Sequence, residues 1–111
     1  MRNKYNKVGL NYDLIVSHFP DLNNYEEIVN CYLSDPFFKE LPEMLMNEDY
    51  ELAKDATKGL FILAQQLQLY PLYIALMDVY EDLCEEIYED VRGHCEQVSL
   101  IHKEMEGVFH V

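Results

Sequence analysis

The side chains of this sequence that could carry out chemistry are four histidines, three cysteines and many carboxylates. Histidine ionises near neutral pH, so it can act as a nucleophile, a base or a metal ligand. Two pairs at helical i,i+4 spacing, Asp90 with His94 and His102 with Glu106, could each touch one metal ion. A di-iron bundle would need Glu-x-x-His pairs on two helices, and the sequence has none. We therefore expect no metal site and no cofactor.

The remaining reactive residues also give little indication of catalysis. Cys31, Cys84 and Cys95 do not form a Cys-x-x-Cys motif, so zinc binding and dithiol redox chemistry are not expected. His18 is predicted to end a helix at the surface. Neither a glycine-rich phosphate loop nor a triad-like constellation is visible, and we do not expect an enzyme. The odd cysteine count, with no leader and no membrane-length apolar run, predicts a reduced, cytoplasmic protein.

The charge of the chain disfavours two classes of partner. Asp and Glu number 21 against 8 Lys and Arg, which gives a net charge of −13. This field repels phosphate backbones and anionic bilayers, so neither nucleic acid nor membrane is an expected partner. The chain has 111 residues, half of them hydrophobic, which is enough for one folded domain over the whole length. The acidic run from Glu81 to Asp90 is predicted to be a solvated face.

The elements that must position these residues are helices. Apolar residues recur at 3-and-4 spacing along almost the whole chain, and strand alternation is absent. The pattern predicts an all-α fold, an antiparallel four-helix bundle with a short N-terminal helix. Inward residues are predicted to be Ile28, Tyr32 and either Cys31 or Tyr25 on the second helix, then Phe38, Leu41 and Leu45 on the third. The predicted helices cover residues 10–19, 21–33, 37–46 and 47–69, with a further helix opened by Pro71 and a final one that begins at a poorly marked boundary near residues 85–88.

The helix predicted over residues 47–69, opened by Asn47 as its cap, has an unusual outer face. Its inward stripe is predicted to consist of Ala53, Ala56, Leu60, Leu63 and Leu67. With about 100° of rotation per residue, Lys58 then lies almost opposite that stripe, in solvent. The same outer half carries Lys54, Phe61, Ile62 and Gln65. Large apolar side chains beside a lysine often mark a contact surface. The geometry leaves open whether the N-terminal segment, a second copy or another partner covers them.

A family resemblance is carried by two stretches around this helix. Residues 49–56 read DYELAKDA and residues 66–73 read QLQLYPLY. Together they resemble histidine-containing phosphotransfer (HPt) domains, in which an H-x-L-K-G motif is followed after three residues by N-L-G-L-x-P-L-Y. Further similarity lies upstream, for example at Asp35-Pro36 and Leu41, so the likeness covers most of residues 9–83. The resemblance implies a four-helix bundle that relays phosphoryl groups between the aspartates of receiver domains in two-component signalling.

The positions that carry the family's chemistry differ in this chain. In the gapless alignment Lys58 stands where the family has its phosphoaccepting histidine. Leu60 keeps the family's leucine, but Phe61 replaces the phosphate-holding lysine and Ile62 replaces the glycine that lets a receiver approach. A lysine ammonium, with an ordinary pKa of about 10.4, has no free lone pair near neutral pH. The resemblance therefore implies a pseudo-phosphotransfer module that binds a receiver domain or a histidine kinase without accepting phosphate.

Several alternatives stay open. In a second alignment, residues 55–59 mimic an H-x-x-K-G motif with Asp55 in place of histidine, which requires a three-residue insertion before Pro71. An aspartate could form an acyl phosphate only beside a Mg²⁺-binding acidic cluster, and the sequence shows none around Asp55. The chain could instead be an active relay intermediate that uses another residue, such as His94 or His102. It could also be a small acidic interaction protein or homodimer unrelated to signalling.

Overall fold

The computed structural model describes residues 2–109, and over these residues the chain is all-α, as predicted. Seven helices follow one another with short connections. They are α1 (Arg2–Lys7), α2 (Tyr12–His18), α3 (Leu22–Leu33), α4 (Phe37–Met46), α5 (Tyr50–Gln66), α6 (Tyr70–Cys84) and α7 (Tyr88–Phe109). The boundary that the sequence marked poorly lies between Cys84 and Tyr88.

The bundle has four legs, of which the first is broken into α3 and α4. Helix α5 packs on α6, α6 packs on α7, and α4 contacts both α5 and α7. Tyr25 of α3 lies 6.0 Å from Phe109 between ring centroids, whereas Phe38 of α4 stacks on His102 at 4.1 Å. Going from Tyr25 to Phe38 along the first leg therefore means going backwards along α7, from Phe109 to His102. Both pieces of the first leg therefore run antiparallel to α7.

The break in the first leg lies at Ser34, Asp35 and Pro36, where the sequence predicts a helix start. The Ser34 hydroxyl donates to the Asn30 carbonyl at 2.8 Å and so helps to end α3. The Asp35 carboxylate accepts from the backbone N–H of Phe37 at 2.9 Å and satisfies a free donor at the start of α4. Proline suits this position because its missing N–H would have no partner within the helix.

The connections from α4 to α5, from α5 to α6 and from α6 to α7 share one geometry. Their middle residues, Glu48, Gln68 and Glu86, have φ values of 60°, 63° and 59°, in the left-handed region. In each case the next backbone N–H bonds back to a carbonyl five residues earlier, at 2.8–2.9 Å: Asp49 to Met44, Leu69 to Ala64 and Ile87 to Asp82. This is the Schellman pattern of helix ends. Asn47 is consequently the C-cap of α4, and the prediction that it caps α5 is wrong.

The inward face of α5 is largely the predicted one. Ala53, Ala56, Leu60 and Leu67 are buried, but Leu63 is 44% exposed, so its predicted place in the core is wrong. Thr57 and Ala64 are fully buried instead, which turns the inward direction of α5 toward the side of Phe61. The Thr57 hydroxyl donates to the Ala53 carbonyl at 2.6 Å, and this bond satisfies a polar group that burial would otherwise penalise.

The packing also tests the inward residues predicted for α3 and α4. Ile28 was predicted to face inward on α3, but it is 43% exposed, and Val29 is buried instead. Tyr32 is buried as predicted, and its hydroxyl donates to the Leu60 carbonyl of α5 at 2.6 Å. The inward residues predicted for α4, Phe38, Leu41 and Leu45, are all buried.

The N-terminal segment forms two short helices where the sequence predicts one. Helix α1 was missed, and it is anchored by Tyr5, which is fully buried and donates to Glu26 at 2.6 Å. Gly9 has φ +82° between the two helices, and a Cβ there would lie 3.3 Å from Pro71 Cγ. Gly9 therefore permits both the turn and the close approach of the segment to the start of α6.

Candidate functional site: the outer face of α5

The outer face of α5 is formed by five residues that lie on one side of the helix. We use the name α5 outer face for this set, which consists of Asp55, Lys58, Gly59, Ile62 and Gln65, all exposed. The exposure of Lys58 and Ile62 shows that the N-terminal segment does not cover them. A Cβ built on Gly59 would meet nothing within 4 Å, so an approaching molecule can reach the helix backbone at this position.

Lys58 is an uncompensated cation on this face. Among residues 2–109 it forms no ion pair, although the chain carries a large excess of carboxylates. Lys54, one turn earlier, differs because its Nζ lies 3.3 Å from the Glu51 carboxylate. This hydrogen bond raises the pKa of Lys54. Lys54 thus has a partner within its own helix, whereas the charge of Lys58 is available to an external carboxylate.

Phe61 does not belong to the outer face, contrary to the sequence prediction. It is half-buried and packs edge-on against two rings of α6, with centroid distances of 6.0 Å to Tyr73 and 5.1 Å to Tyr80. The reason is the turn of the inward direction caused by Thr57 and Ala64. The exposed apolar area near Lys58 is instead supplied by Ile62, which is 40% exposed, and by Leu63 on the flank. No sequence signal pointed to this exposure of Leu63, because its spacing matches the core stripe.

The alternative alignment centred on Asp55 finds no support in the side-chain arrangement. Asp55 is exposed on the α5 outer face. Over residues 2–109, no three His, Cys, Asp or Glu side chains come together as a set that could hold a metal ion. The acidic neighbours that an aspartyl phosphate site needs are therefore missing around this carboxylate.

The histidines within the described residues differ sharply in their surroundings. His102 Nε2 donates to the Leu33 carbonyl at 2.7 Å, and its Nδ1 lies 3.4 Å from Glu106, so both ring nitrogens are engaged. His18 Nδ1 bonds the Leu14 carbonyl at 3.0 Å on an exposed surface. His110 lies outside the described residues. Of the two rings that the structure describes here, His102 has no free nitrogen, and His18 contacts a backbone carbonyl through Nδ1.

His94 forms a pair with Asp82 that the sequence analysis did not foresee. The Nδ1 of His94 on α7 is hydrogen-bonded to the Asp82 carboxylate on α6. Asp82 is only 8% exposed, so the prediction of a wholly solvated acidic run is wrong at this residue. The His94 side chain is 41% exposed. The hydrogen bond to Asp82 raises the pKa of His94, and the charges of Asp78 and Asp90 add to the effect.

We expect the Asp82–His94 pair to contribute less to the free energy of unfolding as pH rises. The pKa of His94 is higher in the folded chain than its unfolded value of about 6.5. The stabilisation is therefore fully present below the unfolded pKa and is lost as pH rises through the folded pKa. We expect the free energy of unfolding of wild type, minus that of His94→Gln, to decrease across this interval in urea titrations. A difference in the free energy of unfolding that does not change with pH would contradict this prediction.

Comparison with known proteins adds no relative to this description. The chain matches no known protein family, no curated protein and no solved structure. Within residues 2–109, none of the helices combines the length and apolar character needed to cross a membrane. The fold and the site thus define an acidic, all-α helical bundle with an uncompensated lysine on the exposed face of a central helix.

Proposed function

We propose that the chain is an HPt-like, pseudo-phosphotransfer module of a two-component phosphorelay. In this proposal it binds the receiver domain of a response regulator, or a histidine kinase, in the cytoplasm and accepts no phosphoryl group. The observation that carries the proposal is the exposed, unpaired ammonium of Lys58, at the position where the resembled family has its phosphoaccepting histidine. The four-leg bundle and the start of α6 at Tyr70-Pro71 agree with the resemblance.

The chemistry of the α5 outer face suits an acidic pocket. A receiver domain is phosphorylated within a cluster of carboxylates, and an ammonium can pair with that cluster without any transfer. Ile62 and Leu63 supply apolar contact area beside the charge, and Gly59 lets a partner come close to the helix. Lys58 itself is a poor nucleophile near neutral pH, because a protonated amine has no free lone pair. Binding without phosphorylation is the behaviour that these side chains favour.

The proposal is tested by phosphoryl transfer from a panel of labelled receiver domains. We expect no label on wild type and detectable label on Lys58→His, because the new imidazole restores a nucleophile on a retained docking surface. Lys54→His is the matched control, since it adds the same group one turn away, and it should stay unlabelled. If neither a receiver of the panel nor a histidine kinase binds wild type in a parallel binding assay, the proposal fails.

A second candidate, an active relay intermediate, is favoured by the His94 pair alone. Asp82 engages Nδ1, so Nε2 is the ring nitrogen left for a reaction, on a side chain that is 41% exposed. In such a transfer the Nε2 lone pair would attack phosphorus, and the bond to the receiver's aspartate would break and release its carboxylate. The acidic neighbours Asp78 and Asp90 would oppose the approach of a phosphoryl group. Label on wild type that is lost in His94→Gln would establish this candidate over the first.

A further inference from the structure

A groove between α4 and α7 forms a second exposed apolar surface, and it shares no residue with the α5 outer face. The groove is open to solvent and has a volume of about 650 Å³. Its apolar lining consists of Pro42, Leu45, Met46, Cys95 and Leu100. Met46 is 70% exposed and Leu100 is 56% exposed, and both exceed Ile62 in this respect. Large apolar side chains left this open around a groove are typical of a binding surface.

The groove is also bordered by free positive charge. Arg92 and Lys103 of α7 line it, and Lys39 of α4 lines its continuation toward Phe38. The continuation also carries two carboxylates, Asp35, which accepts from the Phe37 N–H, and Glu106, which pairs with His102. Within residues 2–109, none of these three bases forms an ion pair, although Asp and Glu number 21 in the chain. Glu96, one turn after Arg92, lines the groove without pairing with it. Three of the chain's eight Lys and Arg residues thus stand unpaired along one apolar groove.

We propose that this groove binds an amphipathic helix. The face of that helix toward the groove carries apolar residues between two acidic residues. Arg92 and Lys103 are 11 positions apart on α7, which is about 16 Å, or three turns. A helix lying along the groove would place carboxylates at the same separation to meet them. Between these carboxylates, apolar anchors at i, i+3 or i+4, and i+7 would contact Met46 and Leu100, as in other helix-in-groove complexes. The site is independent of the surface proposed to bind a receiver.

The probe for this site is a fluorescent helical peptide of about 16 residues, with two glutamates about 11 positions apart and leucines on the same face between them. We expect saturable binding to wild type by anisotropy, weaker at higher salt. The Arg92→Glu/Lys103→Glu variant should bind at least about tenfold more weakly, because like charges would then face each other. A version of the peptide with lysines in place of the glutamates should not bind.

The matched control is Lys54→Glu/Lys58→Glu, which changes the net charge by the same amount on another face. It should leave peptide binding unchanged, whereas Met46→Asp, at a side chain exposed enough to leave the fold intact, should reduce it. An equal loss in both double variants, or no binding to wild type, would overturn the proposal. Sedimentation that shows a wild-type dimer, dissociated by the groove variant, would also overturn it in favour of a second copy. Receiver binding by wild type is a separate readout, so this failure and that of the proposed function are distinguishable.

Discussion

The Lys58→Glu variant is expected to bind its receiver domain or kinase more weakly by about 2–5 kcal/mol, the range measured when one partner of an interfacial charge pair is removed. The lower end of this range corresponds to a loss of roughly 30-fold in affinity. The physical reason is that Lys58 has no partner of its own within the described residues, so its whole charge is available to the carboxylates of the partner. The measurement is a titration by calorimetry at low salt, repeated at higher salt to follow screening.

Lys54→Glu is the control for this prediction, because it makes the same change of charge one turn away. Lys54 is bonded to Glu51, so its charge is already partly compensated, and we expect a clearly smaller effect. Equal losses of affinity in the two variants would show that binding depends on the overall electrostatic field of the chain and not on Lys58 in particular. Unchanged affinity in Lys58→Glu would remove this lysine from the mechanism.

The homodimer alternative is separated from this prediction by one further variant. Phe61 packs inward against Tyr73 and Tyr80, so its substitution would disturb the fold. Ile62→Asp changes the exposed part of the same surface and is the better choice. If wild type sediments as a dimer and Ile62→Asp as a monomer, the α5 outer face is an interface between copies. A monomer in both cases would leave this face free for a different partner.

The order of the main helices was predictable because it depends on local signals. The Ser34-Asp35-Pro36 break and the start of α6 at Pro71 follow from the missing N–H of proline, which suits the first turn of a helix. Helix α1 was not predictable in the same way. It has six residues, too few for a periodic pattern, and it is held by contacts of Tyr5 with Glu26 and Phe109, which are distant in sequence.

On the α5 outer face, the exposure of Lys58 was predicted correctly, whereas the exposure of Leu63 and the burial of Phe61 were missed. Lys58 lies almost opposite the core on α5. A small error in the predicted inward direction of the helix therefore does not change its exposure. Leu63 and Phe61 lie near the boundary between the two faces, where such an error decides exposure. The error arose because Thr57 and Ala64 carry weak hydrophobic signals, although both are fully buried on α5. The Asp82–His94 pair joins two helices, so no pattern within one helix could indicate it.

Tyr25→Ala is expected to lower the free energy of unfolding by about 3–5 kcal/mol, the cost of truncating a buried aromatic side chain. Tyr25 is fully buried on α3, and its ring lies 4.7 Å from that of Phe19 between centroids. Its hydroxyl donates at 2.6 Å to the Leu67 carbonyl, at the C-cap of α5. This side chain therefore joins α3 to the C-terminal end of α5. Since small domains have total stabilities of about 5–15 kcal/mol, urea unfolding should show a large shift of the midpoint.

Two variants separate the contributions of this residue. Tyr25→Phe keeps the ring and removes only the hydrogen bond to Leu67, so it should cost about 0.5–1.5 kcal/mol. Ile28→Ala, on the half-exposed side of the same helix, should cost about 1 kcal/mol or less, because little of its side chain is withdrawn from water. If Ile28→Ala proved as damaging as Tyr25→Ala, Ile28 would face the core, as the sequence predicted. Receiver binding by Tyr25→Phe should match wild type, since this end of the bundle lies two turns of α5 away from Lys58.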